Sequence, residues 1–173
     1  ATDQVCAKFI PAEDLVVSYS TTELDTSPRY TQIMKLTTND VKKYMKSGFY
    51  RNIKLSDPSD DGEDTRVQQT IDEIDGITGS ATDHIRQVLE FHVDYNLEND
   101  EEEIELPYII TIDRSTSQIL AIRRNFKEDD KLQNKRVYFI HYKYLPGLGF
   151  YGFGLIHMIG GLQHASTGAL RAL

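Results

Sequence analysis

The stretch VLEFHVDYNL, from Val88 to Leu97, alternates between apolar and polar side chains. Its apolar row is Phe91, Val93, Tyr95 and Leu97, and its polar row is Glu90, His92, Asp94 and Asn96. Because successive side chains of a strand point to opposite faces of a sheet, this alternation predicts a half-buried strand. We expect the row of Phe91 to face the core, and Glu90 and His92 to be solvated.

The neighbouring segments extend this strand into a sheet. Three further strands are predicted after it, at residues 105–113, 118–124 and 136–144, and two before it, at residues 14–20 and 29–36. The strands come in succession rather than alternating with helices. The sequence therefore predicts an α+β fold built on a mainly antiparallel sheet, a meander over residues 90–144.

Helices are predicted on either side of this sheet. Residues 38–47 carry a helix start signal, a closing glycine and apolar residues at helical spacing. A second short helix is predicted at residues 65–75, and a terminal helix from about Gly154. We expect one α+β region over residues 1–153 and the start of a truncated helix in residues 154–173. The chain lacks an initiator Met and stops on Leu-Arg-Ala-Leu without a helix cap, which predicts a fragment of a longer protein.

The composition is that of a soluble globular protein, since 39% of the 173 residues are hydrophobic and 27% are charged. A net charge of -8 argues against a free-standing nucleic-acid binder, which needs clustered Lys and Arg. The single cysteine, Cys6, excludes an intrachain disulfide and a Cys-based zinc site. The first residues show no signal-peptide pattern.

The charge is distributed unevenly along the chain. Residues 57–105 are strongly acidic, with only Arg66 and Arg86 opposing them, whereas no acidic residue occurs from Val137 onwards. This asymmetry predicts a solvent-facing acidic part and an apolar part that is buried against something else. The one basic concentration lies within residues 123–136. We interpret it as a solvated hairpin tip, or as a partner for the acidic loops of a neighbour, rather than as a DNA contact.

Near the C-terminus, the sequence LPGLGFYGFGLIHMIGG contains a G-x-G-x-x-G pattern at Gly147, Gly149 and Gly152. In a dinucleotide site, such glycines let backbone amides approach a pyrophosphate at a helix N-terminus. That motif also requires a βαβ unit and a following acidic residue, and neither is predicted here. A nucleotide-binding enzyme is therefore an alternative rather than the preferred interpretation.

We prefer to interpret this segment as a glycine-permitted turn at a packed junction or a subunit contact. The candidate interface or junction residues are Gly147, Gly149, Phe150, Tyr151, Gly152, Phe153 and His157. His157 and His164 are seven residues apart on the final predicted helix. A packing or interface role suits these two histidines better than metal binding, because no third ligand is near in sequence.

No other pattern predicts a catalytic or cofactor site. Residues 57–62 resemble the first half of an EF-hand loop, but its twelfth position is Gln68 and Pro58 disturbs the loop. A nucleophile motif such as G-x-S-x-G does not occur. We expect no enzymatic activity, no bound metal and no cofactor.

Residues 155–173 raise a second alternative, a membrane or adhesion module, because as a helix they would span about 28 Å. The polar side chains of His157, Gln163, His164 and Arg171 argue against a membrane span. We expect this helix to pack against other helices, including those of neighbouring subunits.

Long stretches of the sequence resemble the portal proteins of tailed bacteriophages, especially the larger portals of short-tailed phages. They are VKKYMKSGFYRNIKL at residues 41–55, LPYIITIDRSTSQILAIRRNF at 106–126 and VYFIHYKYLPGLGFYGFGLIHMIGGL at 137–162. Residues 10–36, IPAEDLVVSYSTTELDTSPRYTQIMKL, fit the same pattern. The resemblance covers nearly the whole chain, and residues 56–82 are its least specific part.

The resemblance implies a structural virion protein. A portal is a dodecameric ring at one capsid vertex, through which DNA is packaged and ejected. Its partners are its own copies, the terminase, the capsid, tail adaptor proteins and the DNA in the channel, and it is assembled in the host cytoplasm. Portals are longer than this chain and are not enzymes, since the ATPase is the terminase. This chain would be part of the outer wing region, leading into a helix near the inner body of the ring.

Overall fold

The computed structural model describes residues 6–55, 70, 73–74, 76, 85–97, 104–147 and 149–172. Its elements are a short 3-10 helix (Ala12–Asp14), β1 (Leu15–Val17), β2 (Arg29–Thr37), α1 (Thr38–Lys46), β3 (Ile85–Tyr95), β4 (Leu106–Asp113), β5 (Gln118–Arg124) and α2 (Leu155–Ala172). The five strands form one sheet in the order β1-β2-β3-β4-β5. The predicted α+β class and antiparallel meander are confirmed, and the sheet also includes the two strands predicted before residue 85.

The register of the sheet is continuous from β2 to β4. Met34 pairs with Val88, and Val88 pairs with Asp113. Between β4 and β5 the register shifts, because Ile112 pairs with Ile119 while Thr111 pairs with Ala121. The extra residue, Leu120, is buried in the core. This bulge therefore places two successive residues of β5 towards the same side of the sheet.

Helix α1 begins and ends as its sequence predicts. The Thr37 hydroxyl oxygen accepts a hydrogen bond from the amide of Asp40 at 3.1 Å, which caps the N-terminus. After the helix, Gly48 adopts a left-handed conformation with φ of 79°, which a residue without a Cβ adopts at little cost. Val41 is the fully buried residue of α1, and it anchors the helix on the sheet.

The hydrophobic core lies on one face of the sheet, between the strands and α1 with the segment that follows it. Its centre consists of Val41, Tyr50, Val88 and Leu120. Partly buried side chains packed around this centre are Met34, Leu36, Met45, Ile53, Leu55 and Ala121. A backbone hydrogen bond from the amide of Arg51 to the carbonyl of Leu120, at 2.7 Å, holds the segment after α1 against β5.

The predicted orientation of β3 is wrong. Its buried residues are Arg86, Val88 and His92, whereas Phe91 and Val93 are only partly buried and Tyr95 is exposed. The reason is that α1 packs on the side of Val88, and that the polar residues on this side find partners within the fold. Arg86 pairs with Asp113 and His92 with Glu90, and these pairs offset part of the cost of burying them.

The prediction of a strand at residues 136–144 is also wrong. The structure assigns no strand to residues 137–144, and Ile140 and Tyr142 are exposed. After β5, the amide of Asn125 donates to the carbonyl of Pro107 and the amide of Arg136 donates to the carbonyl of Asn125, both at 2.9 Å. Alternating side chains do not make a strand unless the backbone also finds a ladder partner.

The second predicted helix, at residues 65–75, lies mostly outside the described residues. Thr70, Glu73 and Ile74 are helical. The EF-hand-like residues 57–62, with Gln68, also lie outside the described residues. The chain forms two compact units, residues 1–16 with 29–136 and residues 17–28 with 137–173. The predicted division between residues 153 and 154 stays a prediction.

Candidate functional site

The predicted junction residues, except His157, lie in a closed loop of the second unit, and His157 lies in the helix that follows. Leu145 and Phe153 form an isolated antiparallel bridge, in which the Phe153 amide donates to the Leu145 carbonyl at 2.9 Å. Lys143, just before the loop, donates from its Nζ to the carbonyls of Thr22 at 3.1 Å and Gly149 at 3.4 Å. The loop is thus fastened both at its base and at its tip.

Two of the three motif glycines permit close backbone packing inside this loop. A Cβ on Gly152 would lie 2.5 Å from the Leu145 carbonyl oxygen, and one on Gly147 would lie 3.0 Å from the Tyr151 carbonyl oxygen. A Cβ on Gly149 would meet nothing within 4 Å. Gly152 faces the bridge that closes the loop, and this close backbone contact leaves no room for a side chain. A glycine at this position is therefore explained without a phosphate ligand.

The aromatic residues of the loop have different environments. Phe150 is buried and stacks on His141, with ring centroids 4.1 Å apart, while Tyr151 packs edge-on against Phe150 at 5.2 Å. Tyr151 and Phe153 remain about half exposed. Burial, together with the neighbouring charge of Lys143, lowers the pKa of His141. In the folded protein the neutral form of the His141 ring, which stacks on Phe150, is therefore favoured.

His157 caps the helix that follows the loop. The Gly154 amide donates to His157 Nδ1 at 3.2 Å, and the His157 amide donates to the Gly154 carbonyl at 3.1 Å. The side-chain bond corresponds to one half of a capping box, with a histidine in place of the usual Glu or Gln, since Gly154 has no side chain for the other half. The His157 ring also packs edge-on against Phe153 at 5.4 Å. His157 thus has a structural role at the junction between loop and helix.

This geometry offers no observation in favour of a nucleotide site. Residues 137–144, directly before the glycine loop, form no strand, and the Gly154 amide at the start of α2 already has the His157 side chain as its acceptor. Within the described part of the chain, no three His, Cys, Asp or Glu side chains gather as a metal site would require. The contacts of this loop are made within the loop and with the residues that flank it.

Helix α2 is the most exposed apolar element. None of its described residues is buried, although most of them are apolar or small. The large apolar side chains exposed on it are Leu155, Ile156, Met158, Ile159, Leu162 and Leu170. Gly160, Gly161 and Gly168 have open space where a side chain would be. A helix with this composition normally buries at least one side, so α2 lacks a covering partner within the described chain.

A polar cluster on the core face of the sheet was missed by the sequence analysis. His92 Nε2 lies 3.1 Å from Glu90 Oε1, and the His92 ring stacks on Tyr30 at 4.8 Å. Arg123 Nη2 lies 3.7 Å from Glu90 Oε2, and its guanidinium carbon lies 4.0 Å above the Phe49 ring. The i, i+2 spacing of Glu90 and His92 places them on one side of a strand, which was the only available signal.

Ion pairs and ring contacts connect the members of this cluster. Burial and the charge of Glu90 raise the pKa of Tyr50 to about 12, so its hydroxyl stays protonated. Lys135 Nζ lies 5.6 Å from the centre of the Tyr30 ring. Burial raises the pKa of Asp94, and the charge of Lys135 partly offsets this rise. Two members of the basic concentration, Arg123 and Lys135, therefore serve contacts within the fold.

A scan of the sequence against protein-family models finds no matching family, and a search of curated proteins finds no match. Among the described residues, no helix combines the length and the apolar character that a membrane crossing requires. The candidate site is accordingly described by its geometry: a closed aromatic loop that leads into a capped and uncovered helix.

Proposed function

We propose that this chain is part of a phage portal protein, a structural component of the ring that forms the DNA channel at one capsid vertex. The proposal rests on the resemblance of residues 10–36, 41–55, 106–126 and 137–162 to portals of short-tailed phages. The α+β fold, with its meander sheet and terminal helix, is compatible with a wing-like region of such a ring.

The observation that carries the proposal is the exposure of α2. Its apolar residues occur around most of its circumference, and none of its described residues is buried. A subunit of a ring has such surfaces because neighbouring subunits cover them. The closed loop at Phe150 and the His157 cap fix the start of α2, so that the helix leaves the loop in a defined direction.

The partners follow from the proposed function. Copies of the same protein would form the ring, and the terminase, the capsid and tail adaptor proteins would dock on it. The protein would act in the virion without enzymatic activity, a cofactor or a membrane. DNA would pass through the channel, and the acidic net charge of this chain suits passage better than tight binding.

Electron microscopy of the full-length protein that contains this sequence tests the proposal. Rings with a central channel are expected, and a compact monomer with a ligand cleft would end the proposal. Leu162→Glu places a charge on the exposed apolar part of α2, so we expect it to reduce ring formation. Gln163→Glu adds the same charge at the neighbouring polar position and is the matched control.

Binding measurements separate the proposed function from the alternatives. Titration with NAD or ATP is expected to give no saturable micromolar binding. Partition of the protein into liposomes is expected to be absent, and binding to long DNA is expected to be weak. Saturable nucleotide binding that Gly149→Ala abolishes would instead favour an enzyme, since a Cβ at Gly149 meets nothing in the fold.

A further inference from the structure

Residues 137–144, which we call the extended segment, alternate like a strand but belong to no sheet of the described chain. Over residues 137–143 the chain has no helix, turn or bend. Exposure alternates along it, since Ile140 is 95% and Tyr142 is 84% exposed, whereas His141 and Lys143 are only partly exposed. Because successive side chains of a strand point to opposite faces, this alternation indicates an extended backbone.

The backbone groups of Ile140 and Tyr142 have no partners within the described chain. Neither residue makes a backbone hydrogen bond with another described residue. In an extended chain, residues i and i+2 direct their N–H and C=O groups to the same edge. Two donors and two acceptors therefore lie along one edge of the extended segment. Such a row is a template for the addition of a further strand.

The opposite row of side chains fixes the extended segment to its own unit. His141 stacks on Phe150 with ring centroids 4.1 Å apart. Lys143 Nζ donates to the carbonyls of Thr22 at 3.1 Å and Gly149 at 3.4 Å. These contacts hold the segment in place before a partner binds, which lowers the cost of ordering it on binding.

The charge of this region favours an acidic partner. No acidic residue occurs from Val137 onwards. Lys143 donates to carbonyl oxygens, and within the described chain it forms no ion pair with a carboxylate. A second copy of the segment would bring another Lys143 and no carboxylate, so like charges disfavour pairing between copies. An acidic strand from a different protein has the complementary charge.

We propose that the extended segment binds an acidic, extended strand of a different protein by β-strand addition. The backbone of this partner exchanges hydrogen bonds with Ile140 and Tyr142. Its alternate side chains pack on Ile140, Tyr142 and Tyr144, and one of its carboxylates lies near Lys143. The inference goes beyond the proposed function, since it requires neither a ring nor DNA.

The expected contact is small. A fully covered aromatic side chain buries about 150–250 Å², so covering most of Ile140, Tyr142 and Tyr144 adds on the order of 400 Å². Each partner of a standard interface buries about 800 Å². We therefore expect a transient complex, in which the backbone hydrogen bonds supply much of the specificity.

The test uses the full-length protein that contains this sequence and a synthetic peptide in which Val alternates with Glu and Thr. Saturable binding is expected in a calorimetric titration at low salt. A version of the peptide with Lys in place of Glu is expected to bind at least about tenfold more weakly. Amide hydrogen exchange then locates the peptide. The amides of Ile140 and Tyr142 should exchange more slowly, and that of His141, which points to the other edge, should not.

Ile140→Pro removes one backbone donor at a position where the described chain makes no hydrogen bond with it. Ile140→Thr keeps the N–H and a β-branched side chain, so it is the matched control. We expect the dissociation constant of the acidic peptide to be about tenfold higher in Ile140→Pro than in Ile140→Thr. Circular dichroism confirms that both variants are folded.

A pair of variants at Tyr142 tests the charge. Tyr142→Lys should bind the acidic peptide more tightly than Tyr142→Glu, because both lose the ring and differ only in the sign of the charge they gain. The difference should shrink at about 0.5 M salt, where exposed charges are screened.

Three results would overturn the inference. They are no saturable binding of the acidic peptide up to about 1 mM, equal binding of the Glu and Lys peptides, and equal affinity of Ile140→Pro and Ile140→Thr. Self-association that Ile140→Pro abolishes, in a protein that does not bind the peptide, would identify a second copy as the occupant and would also overturn it.

Discussion

Arg86 and Asp113, 27 positions apart in the sequence, form a buried ion pair between β3 and the end of β4. Arg86 Nη1 lies 3.2 Å from Asp113 Oδ2, and each side chain is 1% exposed. The same carboxylate oxygen accepts hydrogen bonds from Ser115 Oγ at 2.9 Å and from Thr116 Oγ1 at 2.6 Å. One oxygen atom thus joins the central strand to the turn of the β4–β5 hairpin.

Removing one member of this pair is predicted to be strongly destabilising. Arg86→Met leaves the Asp113 carboxylate buried without its counter-ion, and we expect the free energy of unfolding to fall by about 3–5 kcal/mol. Urea denaturation measures this change. The double variant Arg86→Met with Asp113→Leu removes both charges and should recover part of the loss. If the double variant lost as much as the sum of both single variants, the pair would have no coupling.

Gly152→Ala is predicted to disrupt the aromatic loop. The new Cβ would lie 2.5 Å from the Leu145 carbonyl oxygen, so the bridge between Leu145 and Phe153 has to open or shift. Overpacking of this kind typically costs about 1–3 kcal/mol. Gly149→Ala is the matched control, since a Cβ there meets nothing within 4 Å. Hydrogen exchange of the Phe153 amide at the same rate in both variants would contradict the predicted disruption of the bridge to Leu145.

The stack of His141 on Phe150 is predicted to weaken in acid. Burial and Lys143 lower the pKa of His141 from its usual 6.5, so the folded state favours the neutral ring. Its contribution to stability is present above about pH 6.5 and is lost as the pH falls through the lowered pKa. The stability difference between wild type and His141→Gln should therefore shrink between pH 7 and pH 5.

NMR titration of the His141 ring checks this prediction directly. His164→Gln, at an exposed position of α2, is the control for the loss of a histidine. A midpoint for His141 at or above 6.5 would refute the predicted direction, as would a stability difference that grows in acid.

The N-terminus of α1 is predicted to depend on Thr37. Thr37→Ala removes the side-chain acceptor of the Asp40 amide, and we expect a loss of about 1 kcal/mol in thermal or urea unfolding. Separately, hydrogen bonds from the Thr37 hydroxyl and from Lys43 lower the pKa of Asp40, so the stabilisation from these two bonds to the carboxylate is present above about pH 3.8 and is lost as the pH falls further.

In Thr37→Ala the pKa of Asp40 should rise towards its ordinary value, which NMR titration measures. Asn39→Ala, at an exposed neighbouring position, is expected to change neither quantity appreciably. An unchanged pKa of Asp40 in Thr37→Ala would show that the Thr37 hydroxyl does not lower this pKa.

Local patterns predicted most elements of this fold, because caps, closing glycines and alternation act within a few residues. They did not predict which side of β3 is buried, since that depends on where α1 and Tyr50 pack and on distant partners such as Asp113 for Arg86. The strand prediction for residues 136–144 is wrong for a related reason, because an alternating sequence does not show whether another strand is available for pairing.

The candidate site was predicted as a set of residues but not as a geometry. The stretch from Gly147 to Phe153 was predicted to form a tight turn, and the structure shows the bridge from Phe153 to Leu145 and the contact of His157 with Gly154. The contact of Phe150 with His141 was not foreseen, because no local spacing connects these two residues. Whether the loop is a junction between subunits stays a prediction.

The order of strands in the sheet repeats their order in the chain, and this has a consequence for how the protein folds. The β4–β5 hairpin closes over four residues, whereas β2 and β3 are joined by the long connection from Thr37 to Ile85. Short loops close fastest, so the hairpin is the natural starting point, and the sheet then grows towards β1. Substitutions at the Asp113 turn should slow folding, while those in β2 should mainly hasten unfolding.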